Sequence, residues 1–216
     1  MKIVKILGGL GNQMFQYALF LSLKERFPHE QVMIDTSCFR NYPLHNGFEV
    51  DRIFTQKAPV ASWRDILKVA YPYPNYRFWQ IGKYILPKRK TMCVEQKDFS
   101  FDAAALTRKG DCYYDGYWQH EEYFCDIKET IWEAFSFPEP GDGQNKEIGS
   151  LLRASDSVSL HVRRGDYVNH PLFRGTCDLD YYKRAIHYME ERVNPQLYCV
   201  FSNDMAWCES HLRALL

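Results

Sequence analysis

The chain opens on a short apolar run, Lys2-Ile-Val-Lys-Ile-Leu7, that stops at Gly8-Gly9-Leu10-Gly11-Asn12. A β-prone run halted by glycines predicts a strand entering a tight loop, because glycine reaches turn conformations that cost other residues energy. Phe15, Ala18, Leu19, Ser22, Leu23 and Phe27 then recur at helical spacing, with Asn12 placed to cap the helix and Pro28 just past its end. Gln31-Val-Met-Ile-Asp35 reads as a second strand. A strand, helix, strand series of this kind has parallel strands joined by a right-handed connection. It predicts the opening of a doubly wound α/β domain.

From Asp51 to Leu106 no clean period emerges; the stretch holds Tyr71-Pro-Tyr-Pro-Asn-Tyr-Arg-Phe-Trp79 and the basic Pro87-Lys-Arg-Lys90. Pattern returns at Asp111-Cys-Tyr-Tyr-Asp-Gly-Tyr-Trp-Gln119, a strand feeding a helix from about Glu121 to Phe135 that Pro138 and Pro140 end. The polar, turn-rich Pro138-Glu-Pro-Gly-Asp-Gly-Gln144 is the predicted linker, so residues 1–144 form one domain and 145–216 a second. The second repeats the alternation: a helix over 145–153, a strand from Ser157 to Arg163, a helix from Leu179 to Val193, a break at Asn194-Pro195, a strand from Gln196 to Phe201 and a helix from Asn203. Two Rossmann-type halves imply a cleft, with ligands beyond the carboxyl ends of the strands. The second half offers only two strands, too few for a sheet that is stable by itself, and so reads as incomplete.

With 46% hydrophobic and 25% charged residues among 216, the chain is an ordinary folded protein. Lys and Arg total 27 against 27 Asp and Glu, which gives no global support for a sequence-independent grip on nucleic acid. No apolar stretch nears the ~20 residues of a membrane span and the first residues lack a signal-peptide pattern, so the expected location is the cytoplasm. Seven cysteines, an odd number without a C-x-x-C pair, read as reduced thiols in a core. His120-Glu-Glu-Tyr-Phe124 lacks the second His of an H-E-x-x-H, and no metal is expected.

The sharpest candidate chemistry is Val158-Ser-Leu-His-Val-Arg-Arg-Gly-Asp-Tyr167. Strand alternation puts Val158, Leu160 and Val162 on one face and Ser159, His161 and Arg163 on the other. Arg163 and Arg164 fall at the strand's carboxyl end, where guanidinium forks suit a phosphate or diphosphate. Asp166 could orient an arginine or accept a ligand hydroxyl, and His161 could bond the anion. The plain alternative is a surface turn with internal ion pairs.

In the first loop, Gly9 and Gly11 match a G-x-G-x-x-G but Met14 takes the third glycine's place. Asp35, at a strand end 24 residues after Gly11, keeps a nicotinamide-dependent oxidoreductase as a rival. Alternatively, Asn12 and Gln13 offer amides to a sugar or phosphate, or Asn12 only caps the helix. Trp118, Gln119 and His120 combine an aromatic face with hydrogen-bonding groups, which suits a sugar acceptor and equally an ordinary core edge. The aromatic and basic segment from Tyr71 to Lys90 could stack bases, but zero net charge and the absence of an RNA-binding fingerprint argue against nucleic acid.

Three blocks together, Gly8-Gly-Leu-Gly-Asn-Gln-Met-Phe-Gln-Tyr17, Gly116-Tyr-Trp-Gln-His-Glu-Glu-Tyr-Phe124 and His161-Val-Arg-Arg-Gly-Asp-Tyr167, resemble the glycosyltransferase family 11 α-1,2-fucosyltransferases of bacterial type. The resemblance implies a GT-B-like enzyme that needs no metal or cofactor and transfers L-fucose from GDP-β-L-fucose to a galactose 2-hydroxyl, with inversion. By that resemblance Arg163 is the diphosphate contact and Asn12 the polar residue near the reacting centre. His161, Arg164, Asp166 and Asp204 are donor-binding; Trp118, Gln119 and His120 face the acceptor, expected to be a galactose-containing glycan, free or lipid-linked. Peripheral attachment to the inner membrane is compatible with this. The family's Phe-Ser-Asp-Asp type block stands here as Phe201-Ser-Asn-Asp204. The family normally continues through a Ser-Ser-Phe-Ser-Trp-Trp type motif that these 216 residues do not reach, so the expectation is a chain truncated at its C-terminus. An inactive glycan-binding fragment is the corresponding non-enzymatic reading.

Overall fold

In the computed structural model of the chain the described residues are 1–42, 45–96 and 99–216, with Asp166 described by its backbone alone. The first elements follow the expected order: β1 (Lys2–Lys5), α1 (Leu10–Arg26) and β2 (Val32–Asp35). The segment without a clear period contains α2 (Val50–Ile53), α3 (Trp63–Val69), α4 (Tyr76–Ile85), β3 (Met92–Val94) and α5 (Ala103–Thr107). Then come β4 (Cys112–Asp115) and α6 (Lys128–Ala134). The strands form an all-parallel sheet in the order β2-β1-β4-β3. Parallel strands need helical crossovers, which cover both faces. Val4, Ile34 and Tyr114 accordingly pack with Tyr17, Phe20 and Leu23 of α1, while Ile3, Met33 and Tyr113 pack with Ile66 and Val69 of α3.

Two lysines of β1 are buried with their charges satisfied. Lys2 Nζ donates to the carbonyls of Arg108 and Gly110, and Lys5 Nζ pairs with Asp115 while lying 3.7 Å from the centre of the Trp79 ring. Two expectations need correction. The helix foreseen from Glu121 to Phe135 is split into 3-10 turns, Glu121–Tyr123 and Cys125–Ile127, ahead of α6. Phe124 leaves helical geometry at φ −150° between those turns, its ring 6.0 Å from that of Phe15. All seven cysteines are free thiols, but Cys125 and Cys177 are exposed rather than in a core.

The chain divides into two compact units, Met1–Pro138 and Glu139–Leu216. The division falls at the start of the proline-rich linker, whose far end is already helical. The second unit contains α7 (Gly143–Ala154), β5 (Ser157–Val162), α8 (Leu179–Val193), β6 (Leu197–Ser202) and α9 (Met205–His211). β5 and β6 pair in parallel from Ser157↔Leu197 to Val162↔Ser202. Their core is small: Leu160 and Val162 pack with Tyr182 and Ile186 of α8 and with Cys208 and Leu212 near the last helix. Asn194, left-handed at φ 48°, ends α8 where the sequence places its break.

Candidate functional site

In the second unit the site is built at the carboxyl end of β5. Alternation holds as expected, with Leu160 and Val162 buried and Ser159 and His161 exposed. The two arginines that follow have different roles. Backbone N–H groups of Arg164 and Gly165 both donate to Asn203 Oδ1, at 3.0 and 3.2 Å. Arg164 Nε donates to Asp204 Oδ2 at 3.0 Å, and its guanidinium lies 4.2 Å from the Trp207 ring centre. Gly165 is required here because a Cβ would run into the Asn203 amide. Arg164 is thus a positioning residue locked into the turn.

The Asn203 amide oxygen accepts two backbone protons, a task that an amide or a carboxylate can perform, so asparagine still closes this turn. Asp204 also caps α9, accepting from the Trp207 N–H at 3.2 Å. The bond from Arg164, followed by that N–H, holds the Asp204 carboxyl below its ordinary range. A depressed folded value means the contact stabilises the turn above the unfolded aspartate pKa of ~3.9 and is lost only as pH falls through the lower folded value. The Asp204 carboxyl carbon should therefore titrate below the ordinary range by NMR, and Arg164→Ala should move its midpoint upward. An unshifted midpoint in the variant would remove the ion pair from the account.

Arg163 lies beside this turn with its guanidinium 4.5 Å from the Tyr167 ring centre. Tyr167 stacks on Phe173 (4.5 Å, 19°), and His170 stacks there too (4.5 Å, 25°), forming an aromatic wall. The wall bounds a cavity of about 530 Å³ lined by His161, Arg163, Arg164, Arg174 and the segment leading into α8. That volume lies within the usual range for small-molecule sites. Asp178, at the same rim, caps α8 by accepting from the Tyr181 N–H at 2.8 Å. Three guanidinium groups beside carboxylates already engaged make a site suited to an anion. The side chain of Asp166 lies outside what the structure describes; its backbone belongs to the 3-10 turn Gly165–Tyr167.

In the first unit the loop after β1 is held by amides. Gly8 takes φ +94°, and a Cβ there would press on the Asn12 amide. Asn12 is not the helix cap, which is Gly9 without any side-chain bond. Its Oδ1 instead accepts from Gln119 Nε2 at 2.7 Å, joining two blocks 107 residues apart. Gln13, fully buried, donates to the carbonyls of Gly8 and Gly47 and accepts from the Glu49 N–H, so its amide is spent on the fold. Gln16 bridges the Leu7 N–H and the Gly116 carbonyl in the same way.

Trp118 is a core residue at 1% exposure, edge-on to Tyr114 and Tyr123, so it has no open face to stack a sugar. Glu95 holds it there by accepting from the Tyr117 and Trp118 N–H groups, both at 2.6 Å, with Trp118 in a left-handed conformation at φ 58°. His120 Nδ1 accepts from the Glu122 N–H at 3.3 Å, and its ring stacks on Phe101. Gln119 is the exposed member of the trio. His45, which no motif marks, lies against Gly9 at the same loop. Among the described residues no group of three or more His, Cys, Asp or Glu side chains could hold a metal ion, and no helix is long and apolar enough to cross a membrane.

The profile of glycosyl transferase family 11 matches residues 1–215. The chain belongs to that family. It is 33% identical over 213 residues to an alpha-1,2-colitosyltransferase of Escherichia coli, covering 97% of this chain and 71% of the relative. It is 28% identical to the O-antigen biosynthesis glycosyltransferase WbnK of Escherichia coli, covering 94% and 72%. It is 24% identical to galactoside alpha-(1,2)-fucosyltransferase 2 of Pongo pygmaeus, covering 97% and 55%. No solved structure matches the chain significantly. As a family 11 glycosyltransferase the protein is an enzyme of sugar transfer, which overturns the nicotinamide reading. The structure supplies the physical reason: Asp35 is buried and accepts from Tyr113 Oη at 2.6 Å and the Ser37 N–H at 2.8 Å, leaving no carboxylate for a ribose.

Proposed function

We propose that this family 11 enzyme transfers L-fucose from GDP-β-L-fucose to the 2-hydroxyl of a galactoside, inverting the anomeric centre to give an α-1,2 linkage. The observation that carries the proposal is the arginine-lined cavity at the carboxyl end of β5, built by the His161 to Tyr167 block that also carries the family resemblance. In the step, the acceptor oxygen forms a bond to C1 as the bond from C1 to the diphosphate oxygen breaks. GDP leaves with the electron pair, and the hydroxyl proton passes to solvent or a base.

Negative charge grows on the diphosphate, and fixed cations aimed at it lower the barrier. Arg163 supplies that charge directly, His161 and Arg174 line the same cavity, and Arg164 with Asp204 fixes the turn. Guanidinium groups serve where other transferases use a metal, so transfer should persist in a chelator. The second unit takes the nucleotide-sugar side and the first the acceptor side, in a GT-B arrangement, with Asn12, Gln119 and His120 toward a galactose-containing glycan, lipid-linked forms included. The reaction then belongs to the cytoplasm or its membrane face. Similarity to a protein named as a colitosyltransferase supports a second reading in which the donor sugar is colitose.

The test is twofold. GDP should raise the melting temperature, by linkage worth about 2.7 kcal/mol at a hundredfold excess over Kd, and UDP or NADH should not. Fucosyl and colitosyl donors offered with a galactoside should give an α-1,2-linked product, whose sugar decides between the two readings. Galactoside binding with no product from either donor would favour a glycan-binding role instead.

A further inference from the structure

Helix α4, Tyr76–Ile85, turns one face inward and leaves the other without a partner. Asn75 caps it, accepting from the Arg77 and Phe78 N–H groups at 3.0 and 3.3 Å, so its start is fixed. The inward stripe is Tyr76, whose ring meets Tyr42 at 4.6 Å, then Trp79, under the Lys5 ammonium, and Gly82, where a Cβ would collide with the Tyr73 ring. The outward stripe is Phe78, Ile81 and Ile85, spaced three and four residues apart and therefore on one side of the helix. Ile81 is 58% and Ile85 72% exposed, and Phe78 and Leu86 are exposed with them.

Charge is segregated along this stretch of the chain. Residues 60–91 contain seven Lys or Arg side chains and a single carboxylate, Asp65, in a chain whose overall charge is zero. Asp65 is taken by Lys68 at 3.1 Å and by Ser62. Directly after the helix comes Lys88-Arg89-Lys90. Arg89 is tied down, donating to the Leu67 carbonyl at 2.7 Å and lying over the Tyr71 ring, while Lys88 and Lys90 point to solvent.

An exposed apolar stripe flanked by uncompensated cations is the arrangement that seats a helix in the headgroup layer of an anionic bilayer. We propose that α4 and the basic segment after it dock this protein on membranes that carry anionic lipid. The exposed side chains favour a bilayer over single-stranded nucleic acid. Base stacking needs a series of open aromatic faces, whereas Tyr76 and Trp79 are engaged internally, the exposed Tyr84 ring has the Lys83 ammonium 4.9 Å from its centre, and exposed Phe78 stands beside the aliphatic Ile81 and Ile85.

The experiment is sedimentation of the full chain with vesicles of phosphatidylcholine, with and without phosphatidylglycerol. Binding is expected only with phosphatidylglycerol and should weaken as salt rises. Ile81→Ser with Ile85→Ser should lower the partition coefficient at least about tenfold with an unchanged circular dichroism spectrum, since both residues are exposed. Lys88→Gln with Lys90→Gln should weaken binding and flatten its salt dependence. Absence of binding to anionic vesicles, equal binding to neutral ones, or binding that the isoleucine pair leaves unchanged would each overturn the proposal. So would capture of a single-stranded oligonucleotide by the same face with no affinity for vesicles.

Discussion

Arg163→Ala is expected to lower sugar transfer about a hundred- to a thousandfold, the range found when one fixed donor to a developing charge is removed. Arg163 lines the cavity, lies outside the core and rests on the Tyr167 ring, so the same change should leave the melting temperature nearly where it was. Surface contacts of this kind contribute no more than about 1 kcal/mol. Arg163→Lys keeps the charge but loses the planar fork, and should fall between wild type and alanine. Arg164→Ala serves as the contrast: it releases Asp204 and uncovers Trp207, so stability falls together with activity. Steady-state transfer with a fixed acceptor, paired with thermal melts, separates the two. Near-normal turnover in a folded Arg163→Ala protein would take Arg163 out of the donor site.

The second large effect concerns stability. Gln13→Ala orphans the buried Glu49 N–H and removes the donor to the Gly8 and Gly47 carbonyls, while opening a void at the start of α1. Unsatisfied buried groups cost about 1–3 kcal/mol each, so a loss of about 2–4 kcal/mol is expected after partial relaxation. At this chain length that corresponds to a fall of roughly 5–15 °C in melting temperature. Lys24→Ala, on an exposed turn of the same helix, is the control and should change little. A Gln13→Ala protein that melts with the control would mean water takes over the amide's bonds.

Long periodic segments were legible in the residues alone: α1 with its glycine entry, and α8 from Leu179 to Val193, emerge with their expected bounds or nearly so. The alternation of β5 correctly separated His161 from Leu160 and Val162. What failed did so for definite reasons. β3 has three residues, too few to display a period. α4 carries apolar groups on both sides, which hides its amphipathic stripe. Trp118 was drawn to a sugar by its ring, but its burial depends on Glu95, a residue brought beneath it from another strand end. Asn12 stood out by its loop, whereas its partner Gln119 is set by tertiary pairing that no local pattern encodes.

Lys2 and Lys5 have a consequence for the newborn chain. Lys2 has Glu30 close by in the chain, at 3.7 Å, but its carbonyl partners at Arg108 and Gly110 and the Asp115 carboxylate that takes Lys5 all lie more than 100 residues later. At ~5–20 residues per second, a ribosome delivers those partners roughly 5–20 s after β1 itself. Until then β1 can pair with β2, but its other edge stays open, which is the condition under which strands recruit the wrong neighbour. The Lys5 ammonium, still without its Asp115 carboxylate, repels a second copy of the same edge. The Lys5 charge that is buried in the finished sheet thus opposes mispairing during synthesis, and the arrival of β4 both closes the edge and neutralises that charge.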